Sequence, residues 1–120
     1  MIVVDTSIWI DHLRSAIPRL NDLVLERSLM QHPFVTGEIA VGTLPNRART
    51  IRALRGLPQI IPVSEDEFHA FLESQSLHGT GLGFVDIHLL AAAALAGASI
   101  WTRDRRMLAQ ADRLGLTFDP

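Results

Sequence analysis

Residues 1–13, MIVVDTSIWIDHL, pass from a short β-branched run to an apolar helical one, with Asp5, Thr6 and Ser7 at the junction. The run at 1–4 predicts a buried strand, and the spacing of Ile8, Trp9 and Leu13 predicts a helix with those side chains turned inward. A carboxylate at that hand-over has two readings. Asp, Thr and Ser all satisfy free N–H groups at a helix start, so Asp5 is a candidate N-cap. A carboxylate at a strand end is also a candidate metal ligand.

The same alternation recurs along the chain. Helical spacing is predicted over 18–30, a brief extended piece over 32–36 (HPFVT), and a short helix over 37–44. An arginine-rich helix follows at 45–57, stopped by Gly56 and Pro58, and then a strand at 59–63 (QIIPV). Ser64 and Glu67 have capping-box spacing, opening a helix to about Leu77. A glycine-rich break at 78–83 leads to an alanine-rich helix over 84–96, a strand at 99–102, a helix over 103–115 and a last short strand at 116–118. Strands separated by helices predict an α/β domain with a central, mainly parallel sheet of four to five strands.

Length and composition predict one domain spanning 1–120, and 48% apolar residues supply it with a core. With no cysteine, disulfide scaffolds, thiolate metal sites and cysteine catalysis are excluded, which fits a reducing cytoplasm. The N-terminus has no basic segment before its apolar run, so no signal peptide is expected. The longest apolar run, 89–101, is too short to span a bilayer, and no membrane is expected as a partner. Net charge is −2, and all eleven basic residues are arginine, whose planar fork suits phosphate.

In open parallel sheets, ligands bind beyond the carboxyl ends of the strands. Asp5 follows the first strand, Glu38 opens the helix after HPFVT, Asp86 lies in the first turn of the alanine-rich helix, and Asp104 follows SIWT. Taken singly, Asp5 and Asp104 read as caps and Glu38 as a first-turn carboxylate favoured by the helix dipole. Asp86 sits among Phe84, Val85, Ile87 and Leu89, where an unpaired charge is costly. Two carboxylates 4 Å apart repel by about 4 kcal/mol at an effective dielectric near 20. A divalent cation would resolve that conflict, and an all-oxygen ligand set suits magnesium or manganese rather than zinc. Phosphodiester hydrolysis is the chemistry such an ion serves.

MIVVDTSIWIDHLR, FVTGEIAVGTL, GTGLGFVDIHLLAAA and IWTRDRRML resemble, in order and spacing, the motifs of PIN-domain ribonucleases, and more narrowly those of VapC toxins from bacterial toxin–antitoxin pairs. The resemblance covers nearly the whole chain. It implies a three-layer α/β/α fold and an acidic pocket of Asp5, Glu38, Asp86 and Asp104 binding Mg2+ or Mn2+. Thr6, Ser7 and Thr102 become supporting hydroxyls. It further implies RNA cleavage leaving a 3′-hydroxyl and a 5′-phosphate, a homodimer, and inhibition by a cognate VapB-type antitoxin in a larger complex. One departure stands out: where many PIN domains carry a further acid two residues after the last aspartate, this chain has Arg106.

Arg103, Arg105 and Arg106 flank Asp104 and are candidate RNA contacts, whereas Arg47, Arg49, Arg52 and Arg55 share one helix. The latter read as a solvated face or, more sharply, as an RNA or antitoxin contact. Trp9 and Trp101 are expected in the core or a dimer interface, and His88 in a structural role. GTGLG lacks a following lysine and is no P-loop. The total absence of lysine also counts against dehalogenase-type phosphatases and receiver domains. The remaining alternative is a non-catalytic PIN-like module that binds RNA or a partner and uses its acids as caps.

Overall fold

Val3 and Val4 are fully buried and Asp5 nearly so; neighbours along a strand face opposite ways, so both faces of β1 (Ile2–Val4) are covered. The computed structural model describes residues 1–120. After β1 come α1 (Thr6–Arg14), α2 (Pro18–Leu25), β2 (Leu29–Met30), α3 (Pro33–Ala40), α4 (Arg47–Arg55), α5 (Glu65–Ser74), α6 (Phe84–Ala96), β3 (Ser99–Trp101) and α7 (Arg105–Arg113). The three strands are parallel in the order β2-β1-β3, with Ile2 opposite Leu29 and Ser99, and Val4 opposite Trp101. β1 is central: the chain goes to one side for β2 and crosses to the other for β3. That reversal opens a crevice at the carboxyl ends of the strands, where Asp5 and Thr102–Asp104 lie.

The expected α/β class is present, but the sheet has three strands rather than four to five. QIIPV and LTF contribute one bridge each, Gln59 beside Gln31 and Thr117 beside Ile100. At the first edge, the Gln31 N–H donates to Pro58 O at 2.7 Å and the Ile60 N–H to Gln31 O at 3.0 Å. Pro58 and Pro62 flank that bridge without N–H donors, so the ladder cannot lengthen.

HPFVT is helix rather than extended chain. Pro33 at the first position has its φ preset for a helix, and the His32 Nδ1 accepts the Phe34 N–H at 3.0 Å as a cap. The strand is displaced to Leu29–Met30, and Glu38 falls in the second half of α3, not at its start. The capping box at Ser64 and Glu67 is formed in both directions, at 3.1 and 2.8 Å, and its helix stops at Ser74, short of Leu77.

Leu89, Leu90 and Ala91–Ala93 of α6 are buried where that helix packs on β3 and α5, and the small alanines permit close approach. α3 packs against both α1 and α4. Trp9 and Trp101 belong to the core. No helix is long and apolar enough to cross a membrane.

Candidate active site

Asp5 occupies the cap position of α1, but its side chain caps nothing. Its Oδ2 instead accepts the Thr102 hydroxyl at 2.7 Å and the Ser7 hydroxyl at 2.8 Å. Those hydroxyls are themselves aimed by backbone: the Asp104 N–H donates to Thr102 Oγ1 and the Arg103 N–H to Ser7 Oγ, each at 3.0 Å. Thr6 donates to Glu38 Oε1 at 2.7 Å, tying α1 to α3. Thr6 and Ser7, cap candidates by composition, are spent on carboxylates rather than on free N–H groups of α1. Each donates its proton to a carboxylate, a charge-assisted bond, Ser7 to nearby Asp5 and Thr6 to Glu38 on α3.

The other acids are fixed by backbone N–H groups. Asp104 is a true N-cap of α7, its Oδ1 accepting the Met107 N–H at 2.9 Å. Asp86 Oδ2 accepts the Gly83 N–H at 3.0 Å, reaching back across the first turn of α6. A pattern follows. In each carboxylate one oxygen is anchored to the protein, while Asp5 Oδ1, Glu38 Oε2, Asp86 Oδ1 and Asp104 Oδ2 take no bond from it.

The four acids sense one another. Burial pushes the half-buried Asp86 carboxyl above its ordinary range, the Gly83 N–H pulls it back, and the charges of Asp5, Asp104 and Glu38 raise it further. No three carboxylates or imidazoles are drawn into ready ligating geometry. The donor set nonetheless fits a hard divalent ion, because it is all oxygen and each acid has one oxygen unused by the protein.

Arginines frame the pocket unequally. Arg103 pairs with Asp11 at 2.9 Å on the surface, a contact the sequence did not suggest. Arg105 is exposed. Arg106 lies over the glycine-rich loop, its Cδ only 3.2 Å from where a Cβ on Gly81 would be. Gly81 also has φ +86°, so Gly81→Ala is expected to cost about 1–2 kcal/mol from backbone strain and the displaced guanidinium. Urea denaturation measures this, and an unchanged midpoint would show the loop relaxes freely. Gly83 was also not legible as a site residue; its position three before Asp86, at a helix start, was the available signal.

His88 makes no bond to Asp86. It is buried against Phe68, ring centroids 4.5 Å apart, in keeping with a structural role.

Ribonuclease VapC32 of Mycobacterium tuberculosis, in strains CDC 1551 / Oshkosh and H37Rv, is 41% identical over 119 residues, covering 98% of this chain and 96% of that protein. The crystal structure of PAE2754 from Pyrobaculum aerophilum superposes with a TM-score of 0.60 over 91% of this chain and 78% of that one; at 18% identity the likeness is one of fold. With the PIN domain family model matching residues 2–114 as well, the chain belongs to the PIN-domain family.

Proposed function

We propose that this protein is a Mg2+- or Mn2+-dependent endoribonuclease, the toxin of a type II toxin–antitoxin pair, acting in the cytoplasm as a homodimer restrained by a VapB-type antitoxin. Its likeness to a protein named Ribonuclease VapC32 supports the RNA substrate and the antitoxin partner. The single observation that carries the catalytic reading is the set of four carboxylates at one sheet edge, each anchored by one oxygen with the other unused.

Asp5, Glu38, Asp86 and Asp104 would hold the ion. Such an ion supplies positive charge for a phosphodiester and lowers the pKa of water. The chain's own part is orientation. Thr102 and Ser7 hold Asp5 Oδ2, Thr6 holds Glu38 Oε1, and the Gly83 and Met107 N–H groups hold Asp86 and Asp104. Water attacks phosphorus in line with the 3′-oxygen, the P–O3′ bond breaks, and the 3′-oxygen leaves with a proton. Arg105 and Arg106, exposed beside Asp104, would contact the flanking phosphates. Arg106 stands where a fifth acid is common, which favours one metal site over two.

Cleavage of single-stranded RNA by the purified protein should require Mg2+ or Mn2+ and stop with a chelator. Cleavage that persists after chelation would overturn the reading. The ion should also stabilise the fold, because it removes the repulsion that raises Asp86. At Mn2+ about tenfold above its Kd the gain is about 1.4 kcal/mol, a melting shift of several degrees. The shift should vanish in Asp86→Asn; a shift retained there would place the bound ion elsewhere.

A further inference from the structure

Helix α4, RARTIRALR, carries four arginines and no acid in nine residues, in a chain whose net charge is −2. Arg47 is used structurally: its Nε and a terminal nitrogen donate to Ala40 O at 2.9 and 2.7 Å, closing the end of α3. Arg49, Arg52 and Arg55 are exposed, and their guanidinium groups make no ion pair or hydrogen bond within the protein. Arg103 on Asp11, Arg113 on Gln75 O and Gln110, and Arg19 over the Phe118 ring are engaged, whereas no other helix carries three unpaired arginines spaced three apart. Residues three apart on a helix are surface neighbours, so the 49/52 and 52/55 pairs repel along one ridge. A fold gains nothing from that repulsion. A polyanion lying along the ridge would relieve it.

The ridge borders an open groove of 520 Å³ lined by Arg47, Ala48, Ile51, Arg52, Arg55 and Gly56. Ile51 and Arg55 also line a second groove, with Thr36, Gly37 and Ala40 of α3. α3 is the helix that carries Glu38, and α4 packs directly against it. Between Arg49 and Arg55 the helix rises about 9 Å, two to three nucleotides of a stacked strand at about 3.4 Å each.

We propose that Arg49, Arg52 and Arg55 form a phosphate track that holds the RNA backbone alongside the acidic site. The inference rests on the ribonuclease reading of that site. The pocket itself repels RNA, with four carboxylates and a negative chain around it, so the affinity has to come from a separate positive surface. An acidic protein segment is the weaker fit, since only Ala48 and Ile51 are apolar in the first groove and no aromatic anchor is present. Phosphate contacts carry no sequence information, so the track sets affinity and leaves base choice to the pocket.

The test is binding of a fluorescein-labelled single-stranded RNA, followed by anisotropy from 50 to 300 mM salt in EDTA, for the native protein and for the Arg49→Gln/Arg52→Gln/Arg55→Gln variant. Each phosphate contact on single-stranded nucleic acid contributes about 0.7 to the slope of log K against log salt, so three lost contacts should flatten it by about 2. Binding at 50 mM should weaken at least about tenfold. With Mg2+ present, the variant should show a raised KM and an unchanged kcat. The same slope and affinity in both proteins would overturn the track. So would a variant that binds RNA normally but loses its antitoxin, which would assign the ridge to a protein partner. Binding in EDTA needs no cleavage, so failure of the nuclease reading would appear separately, as native protein that binds with the expected slope yet cuts nothing.

Discussion

Asp5→Asn is expected to lower the rate of RNA cleavage on the order of 10²–10³-fold while the protein stays folded. Asp5 is 6% exposed, and its Oδ2 accepts two hydroxyls. An asparagine carbonyl accepts the same two bonds in the same volume, so the cage around the side chain survives. The negative charge does not. On the proposed reading, its removal would take away the most buried of the four candidate ligands, and it relieves the repulsion on Asp86 at the same time. The variant should therefore melt within a few degrees of the native protein, or slightly above it, and should need far more Mn2+ for any residual activity. Cleavage at the native rate by folded Asp5→Asn would remove the carboxylate from the mechanism and leave it a structural role.

Acidification is expected to cost up to about 3 kcal/mol of stability through His32 alone. Its imidazole is fully buried, accepts the Phe34 N–H at Nδ1 and has no partner at Nε2. Burial first, then the charge of His88, pushes its pKa down to about 4. An unfolded histidine titrates near 6.5, so between these values the unfolded chain binds more protons than the folded one. Stability is complete above 6.5 and is lost as pH falls towards 4. His88 is lowered by burial and acts with the same sign. Asp86 acts in reverse: its carboxyl is raised, so the folded state favours its proton, and its contribution declines as pH rises past the ordinary carboxylate range. Urea midpoints at pH 7.5, 5.5 and 4.5 measure the sum. In His32→Asn, which keeps a capping oxygen for α3, the acid loss should shrink by most of this amount. An acid slope identical to the native one would exonerate His32.

The strand–acid–helix junction at residues 1–13 and the spacing of three of the four acids were legible because they depend on local chemistry. A β-branched run, a capping box and an alanine-rich apolar helix state their form within a few residues. HPFVT misled, because its β-branched and aromatic content outweighed a helix start made of an imidazole cap and Pro33. QIIPV misled for the converse reason: it has strand composition, but the prolines beside it limit it to one bridge.

What the amino-acid sequence determined by itself is the alternation of strand and helix, the all-oxygen character of the candidate ligands and the absence of any competing cysteine or lysine chemistry. Only the tertiary structure decided which oxygen of each carboxylate the protein itself holds. A cap and a ligand are the same carboxylate at the same helix start, and their difference lies in partners far away in sequence. Thr102 is 97 residues from Asp5, and Glu38 is 32 from Thr6. Those bonds exist because three parallel strands bring their carboxyl ends to one edge, and no local pattern encodes that meeting. Asp104 remains a cap and Asp5 does not, and the reason is which donors the fold placed within reach of each.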